Sequence, residues 1–176
     1  TTLWYTPLDK RKITIGQIAL FGMLGALTFA AKVAMSALPN IEPVSLFVML
    51  FAVIFGIRCL YPIYLYVVME ILFYGIQLWN INYLYVWAIL ALVAYLLRRQ
   101  ESPWVWAIVS GTFGLFFGLL CTPVYLFTGG IGHAVSWWLS GIPFDIMHCA
   151  GNFVVALLLF VPLRKLLEKL TRSISR

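Results

Sequence analysis

The chain has 176 residues, 63% of them hydrophobic and only 10% charged, a balance that excludes an ordinary soluble domain and marks an integral membrane protein. A net charge of +6 is carried by short Lys and Arg runs between long apolar stretches, so it reads as a topology signal and not as a nucleic-acid footprint. The length leaves no room for a separate soluble domain, and 1–176 is read as one transmembrane unit.

The start, Thr1 to Lys12, is polar and basic where a cleavable signal would have its apolar centre, so the first apolar segment is expected to be a retained span. Six apolar segments follow, over residues 13–38, 44–57, 61–79, 83–97, 104–127 and 143–167. The expected fold is therefore an all-α integral membrane protein of six transmembrane helices. A perpendicular crossing needs ~20 residues. The second and fourth segments fall short of that, and the loop Pro39-Asn40-Ile41-Glu42-Pro43 is expected to dip into the membrane plane.

Lys10, Arg11 and Lys12 precede the first segment, Arg58 lies between the second and third, and Arg98 and Arg99 lie between the fourth and fifth. Arg164, Lys165, Lys169, Arg172 and Arg176 close the chain, whereas the alternate loops at 39–43, 78–82 and 128–142 carry no Lys or Arg. Both termini are thus expected in the cytoplasm and those three loops outside.

The charges that break this pattern collect toward the outer side. Lys32 lies inside the first segment, Glu42 in the first outer loop, Glu70 in the outer half of the third segment, and Asp145 at the opening of the sixth. A pocket open to the exterior accounts for them; the alternative is that Lys32 snorkels outward or pairs with Glu70 or Asp145 as internal glue. In the first segment Gly22, Ala26, Ala30 and Ala34 recur every fourth residue, a smooth ridge suited to close helix contact, either inside the protein or with a partner.

On the third segment Tyr66, Glu70, Tyr74 and Gln77 share one helical face. The adjoining stretch from Gln77 to Tyr83 mixes carboxamides with rings, and Trp79, Asn80 and Tyr83 suit a small-molecule lining as well as the ordinary aromatic belt. The fifth segment carries Gly111, Gly114 and Gly118 as packing contacts, with Pro123 placed to bend its outer third. Beyond it, the glycine-rich run 128–138, containing His133, Trp137 and Trp138, is expected to be a loop long enough to cover a pocket mouth.

The sixth segment opens with Gly141-Ile-Pro-Phe-Asp-Ile-Met-His-Cys-Ala-Gly-Asn152. Asp145, His148 and Asn152 fall at i, i+3 and i+7, one face of a membrane helix, where polar groups meet a cavity, a ligand or a neighbouring helix. Cys59, Cys121 and Cys149 lie far apart without metal-ligand spacing and are read as apolar filler, so neither a metal nor another cofactor is expected.

Over nearly its whole length the chain resembles the substrate-binding S-components of energy-coupling factor (ECF) vitamin transporters. The resemblance rests on six short spans with both ends inside, the Gly22-x-x-x-Ala26-x-x-x-Ala30 ladder, the Leu-Pro-Asn-Ile-Glu-Pro loop, and Gly-Ile-Pro-Phe-Asp-Ile-Met-His-Cys-Ala-Gly-Asn-Phe at the head of the last segment. It implies a six-helix substrate-binding domain in a prokaryotic cytoplasmic membrane, with a transmembrane T-component and two cytoplasmic ATPases as partners. The ladder residues Gly22, Ala26 and Ala30 would contact the T-component. Outer loops and the later helices would hold a vitamin, with Lys32, Asn40, Glu42, Glu70, Tyr74, Trp79, Asn80, Tyr83, His133, Trp137, Asp145, His148 and Asn152 as candidate ligand contacts.

The sequence contains no Gly-x-x-x-x-Gly-Lys-Ser/Thr phosphate loop, consistent with a chain that borrows its motor and is not itself an enzyme. The Trp and Tyr of the outer half suit a ring-bearing ligand such as cobalamin, with pantothenate and riboflavin as alternatives. A stand-alone secondary transporter or channel is the competing function, since membrane carboxylates suit proton coupling, although no internal three-span repeat is visible. A Ser110-based hydrolase lacks the Gly-x-Ser-x-Gly setting.

Overall fold

The computed structural model describes residues 13–37 and 41–174. Among them the secondary structure is entirely helical: α1 (Ile15–Ala34), α2 (Val44–Phe55), a 3-10 turn (Gly56–Cys59), α3 (Leu60–Tyr74), α4 (Leu78–Leu96), α5 (Pro103–Leu115) and α6 (Phe117–Ile174). Four continuous stretches, Ile15–Ala34, Val44–Tyr74, Leu78–Leu96 and Pro103–Arg172, are long and apolar enough to cross a membrane.

Two of these stretches fold back on themselves, and glycine makes both reversals. Gly56 adopts φ 59° and Gly130 φ 76° with ψ −179°, backbone conformations that an L side chain resists. Gly130 therefore divides α6 into a first limb, 117–129, and a second limb, 131–174, the latter about 66 Å long at 1.5 Å per residue. The expected loop over 128–138 is accordingly helical apart from this one residue. Pro123, Pro143 and Pro162 all lie within helix, and the bend expected at Pro123 falls instead at Phe116 and Gly130.

Side-chain pairings give the direction of each helical pass. Phe21 contacts Phe55, so the start of α1 meets the end of α2 and the two run antiparallel. Phe21 also stacks on Tyr61 while Lys32 bonds Glu70, which makes α3 parallel to α1 and antiparallel to α2. After the Gly75 turn, α4 returns so that the Tyr64 hydroxyl donates to the Leu84 carbonyl at 2.7 Å. Tyr85 and Trp87 of α4 meet Leu120 and Phe117, so α5 and the first limb run opposite to α4. The second limb then pairs back along the first limb and α5 from Trp137 to Phe160: Tyr125 stacks on Trp137, Gly118 meets Asp145, Ser110 meets Asn152 and Trp106 stacks on Phe160.

The hairpin of α5 and α6 closes tightly because its facing positions are glycines. A Cβ at Gly114 would lie 2.8 Å from the His148 carbonyl carbon and oxygen, one at Gly118 would collide with the Asp145 carboxylate, and one at Gly111 would lie 3.3 Å from Phe153 Cβ. The packing role expected for these three glycines is what the structure has. At the centre, α2 is buried almost throughout, from Val44 to Phe55, against α4 and α6. Large apolar side chains such as Ile15, Ile76 and Phe127 point outward and are nearly fully exposed, as lipid-facing side chains would be.

Segment boundaries differ from expectation in three places, one being the sixth segment, expected over 143–167, which is helical from 131 to 174. The fourth segment is a full 19-residue helix, whereas α2 and α3 have 12 and 15 residues and are the short ones. The third segment, expected to reach Trp79, ends at Tyr74, because Gly75 (φ 79°) turns the chain and Gln77 caps α4. Gln77 accepts from the backbone of Asn80 while its own N–H donates to Asn80 Oδ1 at 2.6 Å, closing a capping box that fixes where α4 begins.

With these directions, Arg58, Arg98, Arg99, Arg164, Lys165, Lys169 and Arg172 gather at one end of the bundle. At that end Arg164 pairs with Glu168 at 3.0 Å and donates to the Gln100 carbonyl at 2.9 Å. Among the described residues, Lys32 is the cation at the other end.

Candidate functional site

The end opposite the basic residues is where α1 finishes, α2 begins, α3 meets α4 and the α6 hairpin approaches. Lys32, in the last turn of α1, sends its ammonium to Glu70 on the neighbouring α3, with Nζ 2.6 Å from Oε2. Glu70 is fully buried and Lys32 keeps 19% of its side chain exposed. The ammonium also lies 5.4 Å from the ring centre of Tyr83, 5.7 Å from Tyr74 and 6.0 Å from Tyr66, within cation–π range of all three. The alternative to a pocket, that Lys32 pairs with Glu70 as internal glue, thus describes this contact, and the shared face of Tyr66, Glu70 and Tyr74 on α3 is what assembles the pair with its rings.

Glu42, in the segment leading into α2, is half-buried and close enough to feel both members of this pair. Removal from water raises its carboxyl above the ordinary value, the Lys32 ammonium lowers it and the Glu70 carboxylate raises it, with a net upward shift. Asn40 lies outside the described residues.

A second polar group sits in the hairpin. Asp145 Oδ1 accepts from the Gly118 N–H at 3.0 Å, a direct contact made possible by the missing side chain at Gly118. His148 lies edge-on to Phe117, with ring centres 5.0 Å apart. A run of rings joins the two groups: Tyr66 beside Tyr83, Tyr83 beside Trp87, Trp87 beside Phe117 and Phe117 beside His148, with centres between 5.0 and 6.3 Å apart.

Along this wall several buried polar atoms have no hydrogen-bond partner among the described residues. They are Glu70 Oε1, Asn80 Nδ2, Trp87 Nε1, Asp145 Oδ2 and His148 Nε2. Native proteins leave few buried polar atoms unsatisfied, and here they follow a continuous run of rings packed within the core. The set holds carboxylate acceptors in Glu70 and Asp145 and N–H donors in Asn80 and Trp87. That is the chemistry of a lining for a small molecule with rings and several polar substituents.

The remaining sequence candidates stand apart from this wall. Asn152 is buried, and its amide donates to the Ser45 hydroxyl at 3.0 Å and to the Ser110 carbonyl at 3.3 Å, tying the second limb to α2 and α5. Here the geometry matches the glue alternative. Trp79 is 41% exposed on the outer side of α4. His133 is exposed beside Tyr125 and Gly129, and Trp137 stacks on Tyr125 at 3.9 Å. Asp145 follows His133 by about 18 Å of helix and Trp137 by about 12 Å, so both belong to the hairpin tip.

The site also contains residues absent from the sequence candidates. Trp87, Phe117 and Tyr66 form the wall itself, and Cys121 lies near Asp145 and Tyr83. Two of them had a signal: Tyr66 shares the Glu70 face of α3, and Trp87 follows Tyr83 by one turn on α4. Phe117 and Cys121 had none, because their position depends on the reversal at Gly130. No group of three or more His, Cys, Asp or Glu placed to hold a metal occurs among the described residues.

The small-residue ladder of α1 is only partly covered by the rest of the protein. A Cβ added at Gly22 would meet nothing within 4 Å, Ala26 is half-buried, and Ala30 and Ala34 are exposed. Gly25, on the adjoining face, is the glycine that touches α3: a Cβ there would lie 3.0 Å from Leu65 and the Pro62 carbonyl.

No family model matches the chain, and no curated protein or solved structure matches it.

Proposed function

We propose that this protein is a membrane-embedded subunit that captures a vitamin-like, ring-bearing nutrient outside the cell and delivers it inward within an ATP-driven importer of the ECF type. The observation that carries this is the row of unsatisfied buried polar atoms along the Tyr66 to His148 wall, at the end of the bundle away from the basic residues. In this reading the six helical passes are six crossings, both termini lie in the cytoplasm, and the site opens to the exterior. The partly uncovered Gly22, Ala26 and Ala30 face of α1 is the contact for a transmembrane T-component, which couples the subunit to two cytoplasmic ATPases.

Reconstituted alone, the protein should bind its nutrient without accumulating it, and adding the T-component with its ATPases should confer ATP-dependent uptake. Replacing Ala26 or Ala30 with Leu should lower that uptake and leave binding intact, because the ladder faces away from the wall. Uphill accumulation by the isolated chain under a proton gradient would overturn this reading in favour of a secondary transporter, for which the Glu42 and Glu70 carboxylates would be the proton carriers. Cobalamin belongs in the binding panel as the large ring-bearing candidate, alongside pantothenate and riboflavin.

A further inference from the structure

Lys32 occupies an unusual position for a membrane cation. Its ammonium is held by a fully buried carboxylate and by the faces of three tyrosines on α3 and α4, the arrangement by which proteins bind a foreign cation. We propose that the Glu70 and tyrosine cage is the subsite for a positively charged group of the ligand, and that Lys32 is its tethered occupant, displaced toward Glu42 when a cationic ligand enters. The inference rests on the reading of the polar wall as a nutrient site and adds the charge class of the nutrient.

Three observations support it. Charge comes first: Glu42, Glu70 and Asp145 face this half of the bundle with Lys32 as the described cation, so an arriving cation relieves an excess of negative charge and an anion would add to it. Secondly, the exchange leaves no ion stranded. The ligand takes over the contact with Glu70 and the rings, while Lys32, partly exposed on a flexible four-carbon stem at the end of α1, can turn to the half-buried carboxyl of Glu42 at the head of α2. Thirdly, Glu70 Oε1 is buried and unpartnered, a carboxylate oxygen left free to face the charge of the incoming group.

The test is calorimetric titration of the purified chain with three probes of different charge: thiamin, permanently positive; cyanocobalamin, uncharged overall; and pantothenate, negative. Wild type should favour thiamin. Lys32→Met removes the competing ammonium and should tighten thiamin binding by about tenfold, as expected when an internal competitor is deleted. Because that variant leaves Glu70 buried without a counter-ion, Lys32→Met/Glu70→Gln serves as the second variant. Its neutral pair should fold and should lose thiamin affinity by tenfold or more.

Preference for pantothenate, with binding lost in Lys32→Met, would make Lys32 an anchor for an anion and overturn the inference while leaving the nutrient site standing. Preference for cyanocobalamin, or wild-type thiamin affinity in the double variant, would also overturn it. Binding of none of the three probes by wild type would overturn the site and the inference together.

Discussion

Asn152 separates a ligand contact from a structural tie, and the structure makes the outcome quantitative. In Asn152→Ala the amide bonds to the Ser45 hydroxyl and the Ser110 carbonyl are both lost. Interhelical hydrogen bonds in membrane proteins average ~0.6 kcal/mol, so the pair amounts to about 1.2 kcal/mol. For a chain of this size that should lower the melting temperature by about 2 to 5 °C. Affinity for the nutrient should change less than about threefold, since none of these partners lies on the aromatic wall. A side chain bonded to ligand would instead cost ~1 to 3 kcal/mol of binding, roughly tenfold to a hundredfold. The assay is thermal unfolding in detergent with parallel titration calorimetry on wild type, Asn152→Ala, Ser45→Ala and the double variant. In the Ser45→Ala background the second substitution should cost about 0.6 kcal/mol less, the coupling of a direct bond. A tenfold loss of affinity with an unchanged melting temperature would refute the assignment of Asn152 to helix packing.

Gly114→Ala should destabilise the protein by about 1 to 3 kcal/mol in the same unfolding assay, because its Cβ meets the unyielding backbone of His148; Gly22→Ala, which meets nothing, should be neutral or slightly stabilising, and equal effects at the two sites would refute the packing account. Glu42 has a folded-state carboxyl shifted upward, so its contribution to stability is fully present below its unfolded value and is lost as pH rises through the folded one. Glu42→Gln should therefore melt higher than wild type at pH 7 and converge with it below about pH 4.5, measured as melting temperature against pH; a wild type that is the more stable at pH 7 would refute the shift.

The sequence alone determined that the protein is helical and apolar enough for a membrane, and it placed the helical runs in the right order, while missing the end of the third, the start of the fourth and the twelve residues by which the last helix begins earlier than expected. Both follow from local properties, the length of apolar stretches and the punctuation supplied by Gly, Pro and polar turns. It also located Lys32, Glu70 and Asp145 as charges needing an explanation, because a charge within an apolar run is anomalous wherever its partner lies. The periodicity of α3 was legible as one polar face, and the glycines of the fifth segment as a packing edge.

What only the tertiary structure decided is which groups meet. Residues 128–138 have the composition of a loop, yet the hairpin packs them as helix and concentrates the whole reversal in the left-handed backbone of Gly130. Asp145, His148 and Asn152 share a face in sequence but meet different surroundings, since Gly118 and Phe117 flank the first two and Ser45 and Ser110 the third. Trp87, Phe117 and Cys121 look like ordinary apolar residues until the return of the second limb sets them between two polar groups. The ladder and Gly25 differ by a rotation of about one helix face on α1, and only the docking of α3 against Gly25 shows that Gly22, Ala26 and Ala30 remain partly uncovered. A helical period names the residues that share a face; the partner of that face depends on contacts distant in sequence, which local propensity does not encode.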